Sequence, residues 1–252
     1  MQRHTRLMCV FLCFIIFCIC TPSFVFATDN TSIDTSHSSD GYFTINYSDK
    51  NYSKIKVGVI YNKTTTYYDY TFGEESSYAF EQGDGNYTIK IYQNIKGILY
   101  KCIVSQNVNV TLENNLSPYL VSTREIEFSK DDDVSKKAFE ICKNITDTYA
   151  KVEALCEYIS ANITYDYEFA NEVINGTIKI HRPNASEILK NKKGICYDYA
   201  VLFATMCRSQ SIPCTIKMGY HNDIYHSWNK VYIDNDWYIV DFMGYYSNTF
   251  IT

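Results

Sequence analysis

The chain has 252 residues, 46% of them hydrophobic and 20% charged, with a formal net charge of −5. That balance suits a packed globular protein of one large domain or two small ones and excludes a disordered chain. A mildly acidic chain also has no electrostatic case for binding nucleic acid.

Arg3, His4 and Arg6 precede an almost unbroken apolar run over 7–20, followed by Pro22 and Val25-Phe26-Ala27. A basic start, a short apolar stretch and small residues before a cut after Ala27 read as a secretory signal peptide over 1–27. The protein is therefore expected outside the cell or at its surface, with no stable membrane span after processing. Removing this segment takes away Arg3 and Arg6 and no acid, which moves the charge from −5 to −7. Cys102, Cys142, Cys156, Cys196, Cys207 and Cys214 remain in the mature chain. Cys142, Cys156 and Cys207 fall on the apolar stripes of predicted helices and are expected as buried free thiols.

Residues 28–40 are small and polar and read as a linker. From Gly41 short alternating segments follow, at 42–45, 55–61, 67–72, 87–92, 100–104 and 108–112. Polar, Gly-containing turns separate them, among them the Asp84-Gly85 pair. Period-two alternation broken by regular turn signals predicts an antiparallel β-sandwich over 41–118, and the 24 tyrosines of the chain suit a strand-rich module. No His, Cys, Asp or Glu cluster in it has metal-ligand spacing.

After Pro118 the period becomes helical. Asp131-Asp132-Asp133 is a natural cap for a helix over 134–144, and Val152, Leu155, Cys156, Ile159 and Ile163 form the stripe of a second helix. A calcium loop would need further oxygen ligands at fixed spacing, and none follow. A polar stretch leads to Pro183 and then to a short helix over 185–189.

The chemistry concentrates in 193–241. Gly194 permits a tight turn that sets Cys196 in the first turn of a helix over 197–208, where the helix dipole and free amides favour an anion. His226 would pair with that sulfur as base and later acid, and Asp241 would hold the imidazole in one tautomer. The amide of Cys196 is a natural oxyanion donor. With Asp234-Asn235-Asp236 as the turn and Asp234 paired with Trp237, Asp241 falls opposite Lys230, four residues past His226, so a bulge, twist or different turn has to close the gap. Singly, each residue has a plain structural alternative: Cys196 as a packed thiol, His226 as a strand-end residue, Asp241 as the cap of a turn before Gly244. Zinc binding by Cys196 and His226 lacks further ligands at the right spacing, and no cofactor is expected.

Gly194-Ile195-Cys196-Tyr197-Asp198-Tyr199-Ala200, Ile212-Pro213-Cys214, Gly219-Tyr220, His226-Ser227-Trp228 and Trp237-Tyr238-Ile239-Val240-Asp241 together resemble the transglutaminase-like superfamily, in its bacterial secreted branch. The resemblance covers about 130–245. It implies an α+β fold, a papain-like core of helices packed on an antiparallel sheet over 119–252, preceded by the all-β sandwich. It also implies a Cys-His-Asp triad carried here by Cys196, His226 and Asp241, acting on amide bonds of a protein or cell-wall peptide. Tyr165 sits where animal transglutaminases carry an aromatic residue that assists the oxyanion. The superfamily includes cross-linkers, peptidases, amidases and inactive scaffolds, so hydrolysis, cross-linking and a purely binding role all stay open.

Overall fold

The computed structural model describes residues 31–48, 54–70, 72, 75–221 and 224–244, and the expected signal segment lies outside the described residues. Two compact units divide the chain. Among the described residues, one takes 31–34 with those of 45–76 and 85–110; the other takes 35–44, 77–84 and those of 111–244. The stretch 41–118 contributes segments to both units.

Seven strands occupy the first part of the chain: β1 (Thr31–Asp34), β2 (Tyr42–Tyr47), β3 (Ile55–Tyr61), β4 (Thr64–Tyr70), β5 (Ser76–Ala79), β6 (Gly85–Lys96) and β7 (Leu99–Val110). They form a four-stranded sheet in the order β4-β3-β6-β7 and a three-stranded sheet in the order β1-β2-β5. Alternation is plain in β6, where Tyr87, Ile89 and Ile91 are buried and the residues between them are not. Tyr47 of β2 donates its N–H to the Tyr70 hydroxyl of β4 at 2.8 Å, and the two rings meet edge-on at 6.1 Å, so strands of different sheets share a core. Two expectations change. Residues 31–34, placed in the linker, form β1 beside β2, since backbone pairing to a strand edge holds a segment whose side chains are too polar to pack. The separate strands expected at 100–104 and 108–112 run together as β7, with a bulge against β6 taking up a register shift at Ile91/Tyr92.

The second unit has a helical layer and a small sheet. Helices α1 (Asp133–Cys142) and α2 (Thr148–Asn162) are capped by Asp132 and Asp147, whose carboxylates accept from Ser135 N at 2.7 Å and Ala150 N at 2.8 Å. Their stripes, with Val134, Ala138, Cys142, Val152, Leu155, Cys156 and Ile159, enter one core. A two-residue strand, β8 (Thr164–Tyr165), follows, then α3 (Tyr167–Ile174), where only polar connection was expected. Asp166 caps α3 by accepting from Phe169 N at 3.0 Å, and a helix this short shows too few buried residues to announce its period. Helix α4 (Ala185–Asn191) leads through β9 (Lys193–Gly194) into α5 (Cys196–Ser209).

Helix α5 is buried almost throughout, the mark of a helix covered on every side. One flank meets the antiparallel sheet β10 (Cys214–His221), β11 (Ile224–Ile233) and β12 (Asp236–Val240). Asn229 Nδ2 donates to the Ala200 carbonyl at 2.9 Å, and Val231 and Ile233 join the α5 residues in the core. Near the far end of α5 the fully buried Arg208 donates to the carbonyls of Cys214 (2.9 Å) and Val121 (2.8 Å) and to Glu81 Oε1 (3.2 Å). Burial disfavours its cation and Glu81 opposes that, so the charge is held by partners and not by water.

Candidate active site

Cys196 is the first residue of α5 and is half-buried, open enough to meet a substrate. Its placement is set by the residues around it. Gly194 pairs with Tyr165 in the parallel β8–β9 bridge. The Asp198 carboxylate turns back from the first turn of α5 and accepts the Ile195 N–H at 2.8 Å. A Cβ on Gly194 would lie 2.5 Å from the Asp198 Cβ, so only glycine admits this return. The amides of the first turn, Cys196 N among them, have no partner within the helix and face the helix end.

His226 lies on β11 opposite Gly219 of β10, and Asp241 directly follows β12. The turn joining β11 to β12 is the two-residue Asp234-Asn235, both with positive φ (50° and 70°), and not the three-residue turn expected. That choice moves the register. Ile233 pairs with Asp236 and Asn229 with Val240, so Asp241 arrives beside Trp228 and not beside Lys230. The gap left by the sequence register closes, and His226 Nε2 stands 2.8 Å from Asp241 Oδ1. The same oxygen accepts from Met243 N at 3.0 Å, so Asp241 also caps the turn before Gly244.

The His226 and Asp241 side chains are 2% and 0% exposed. Burial works against a charged imidazole, but hydrogen bonds to Asp241 and to Cys196 outweigh it and push His226 up to about 9. At neutral pH this ring carries its proton, set between the Asp241 carboxylate and the Cys196 sulfur. Trp228 stacks against it at 6.1 Å. The structure thus brings together all three residues singled out in the sequence.

The family model described as the transglutaminase-like superfamily matches residues 135–242, which take in α1 to Asp241. This stretch is a transglutaminase-like domain. Among curated proteins, UPF0252 protein MJ1282 of Methanocaldococcus jannaschii is 27% identical over 158 residues, 57% of this chain and 44% of that protein. Kyphoscoliosis peptidase of Mus musculus is 31% identical over 103 residues, 36% of this chain and 15% of that protein. The chain thus spans less than half the length of these relatives. Among solved structures, the periplasmic domain of TgpA from Pseudomonas aeruginosa bound to ethylmercury aligns over 82% of this chain and 73% of that one, with 12% identity and a TM-score of 0.41.

Several residues of the transglutaminase-like domain escaped the sequence reading. His181 Nε2 lies 2.8 Å from Asp198 Oδ1, so both Asp198 oxygens are engaged at the base of the Cys196 helix. Asp198 was legible in principle, as an acid in the third position of a predicted helix. His181, from an irregular segment, had no local signal. Tyr197 donates its hydroxyl to Glu125 Oε1 at 3.2 Å; burial pushes both groups up, and the bond from Tyr197 eases Glu125. Tyr225 stands by the same site, its phenol raised by burial and then by Tyr220, Glu125 and Cys196. Tyr165 comes next to Gly194 and packs against Tyr167 at 4.9 Å.

Among the described residues no group of three or more His, Cys, Asp or Glu is arranged to hold a metal, and no helix is long and apolar enough to cross a membrane. Cys142, Cys156, Cys196, Cys207 and Cys214 are free thiols, and all of these but Cys196 are buried. Burial raises the thiols of Cys142, Cys156 and Cys207, which suits packing more than reaction.

Proposed function

We propose that the chain is a cysteine-dependent acyl-transfer enzyme acting on amide bonds of a protein or cell-wall peptide, outside the cytoplasm. The observation that carries this reading is the buried imidazole of His226, bonded to Asp241 at 2.8 Å and hydrogen-bonded to a half-buried cysteine at a helix start. The expected N-terminal signal segment supports the location.

In this reading Cys196 reacts as the thiolate, its proton held on His226: the sulfur attacks the carbonyl carbon of the substrate amide, the carbon–nitrogen bond breaks, and the His226 proton passes to the leaving nitrogen. Ammonia or an amine departs and a thioester remains. An acceptor, water or a second amine, then gives its proton to His226 as it attacks the thioester, and Cys196 is released. Asp241 keeps the ring in one tautomer and supports its cation through both steps. The Cys196 amide, at the positive end of α5, faces the developing oxyanion.

The test is incubation with a labelled primary amine and a glutamine-containing protein, scoring incorporation against release of ammonia or peptide. Cys196→Ala should abolish either activity and leave the fold unchanged, since it removes the sulfur and little volume. His226→Ala should lower the rate by on the order of 10²–10⁴. Undiminished turnover in Cys196→Ala, or no thiol-dependent turnover of either kind in the unaltered chain, overturns the reading in favour of a binding scaffold.

A further inference from the structure

The second unit has another concavity, away from the thiol. A cleft of about 830 Å³ is walled by Tyr232 and Trp237 of the β11–β12 hairpin, by Tyr119, and by segments 81–83 and 113–116. Tyr232 lies on the same face of β11 as His226, but about 20 Å along the strand at ~3.3 Å per residue. A small ligand in the cleft would not reach the sulfur.

Three aromatic rings form one wall. Trp237 meets Tyr119 edge-on at 4.8 Å and Tyr232 at 5.3 Å. They are fixed from behind: the Tyr119 hydroxyl donates to the Glu81 carbonyl at 2.8 Å, and the Tyr232 hydroxyl donates to Asn235 Oδ1 at 3.5 Å. The Glu81 carboxylate is engaged by Arg208, Thr215 and Lys217. The exposed residues Gln82, Asn115 and Glu113 also line the cleft.

These walls select a ligand by exclusion. No Lys, Arg or His lines the cleft, so a phosphate or carboxylate ligand finds no countercharge. A wholly apolar ligand would strip water from the amides of Gln82, Asn114 and Asn115 and the carboxylate of Glu113 and give nothing back. A ligand with flat C–H faces for the rings and many hydroxyls for the amides satisfies both kinds of group. We propose that this cleft binds a neutral saccharide chain. Its volume sits in the upper part of the span usual for small-ligand sites, roughly 300–1,000 Å³. The proposal stands apart from the thiol chemistry, because binding here needs neither Cys196 nor His226.

The chain has two tryptophans, Trp228 and Trp237, so Trp228→Phe leaves Trp237 as the only tryptophan reporter. This variant is titrated with the β-1,4-linked tetramers of glucose and of N-acetylglucosamine up to about 10 mM while its emission is followed. At least one tetramer should give a saturable change with a dissociation constant of about 1 mM or tighter. Adding Gln82→Ala and Asn115→Ala, both at exposed residues, should weaken binding about tenfold while the urea midpoint holds. Calorimetry on the unaltered chain should give the same constant, which guards against damage from Trp228→Phe. No saturable signal by either method, or binding unchanged by the double substitution, overturns the proposal. Stronger binding of a lysine-rich peptide than of either tetramer also overturns it and makes the cleft a cation site.

Discussion

Asp241→Asn separates the charge of the buried carboxylate from its shape, and the structure says how much should follow. Raising His226 from its ordinary 6.5 to about 9 amounts to roughly 3 kcal/mol of preference for the protonated ring. The folded chain holds this proton more tightly than the unfolded chain. The stabilisation is therefore complete below about pH 6.5 and is lost as pH rises through about 9. Across that window wild-type stability should fall by up to about 1.4 kcal/mol per pH unit from this group. With asparagine at 241 the hydrogen-bonding shape stays but the charge goes. Burial then counts for more, and His226 should titrate well below its value in the unaltered protein. Nitrogen-edited NMR of the histidine rings reads the first quantity. Urea unfolding of both proteins between about pH 6 and 10 reads the second, and their difference cancels groups common to both. A wild-type His226 that titrates at or below 6.5, or equal pH slopes in the two proteins, would refute the reasoning.

Other expectations rest on single contacts. Alkylation of the native protein should label Cys196 and spare Cys142, Cys156, Cys207 and Cys214 until urea unfolds the chain, as mass spectrometry of the adducts would show. Gly194→Ala drives a Cβ to 2.5 Å from the Asp198 Cβ, and should cost about 1–3 kcal/mol in urea unfolding and slow alkylation of Cys196. Asp198→Ala orphans the Ile195 N–H and the His181 ring, and should cost about 1–3 kcal/mol in the same assay. Asn235→Gly relieves a side chain at φ 70° and should leave stability level or raise it by up to about 1 kcal/mol, with the His226 resonance in place because the register is kept.

What was legible followed local rules. The acidic cap at 131–133 announced α1, and the apolar stripes over 152–163 and after Cys196 announced α2 and α5, because capping and helical periodicity act within a turn or two. The thiol, imidazole and carboxylate were recognisable as a chemical set before any geometry. Strand β1, helix α3 and the His181–Asp198 pair were not legible. The first depends on a neighbour's edge, the second is too short to show a period, and the third joins a loop to a helix across the fold.

The sequence by itself determined which side chains are available for chemistry, and that Cys196 begins a buried helix. Whether Asp241 meets His226 was decided only in the tertiary structure. Asp234 and Asn235 tolerate the left-handed backbone of a two-residue turn, and that turn sets the pairing of Asn229 with Val240. With Asp234 paired to Trp237 the carboxylate would have faced Lys230. Strand register is a long-range quantity, fixed when the sheet packs on α5, and it carried the carboxylate to the ring.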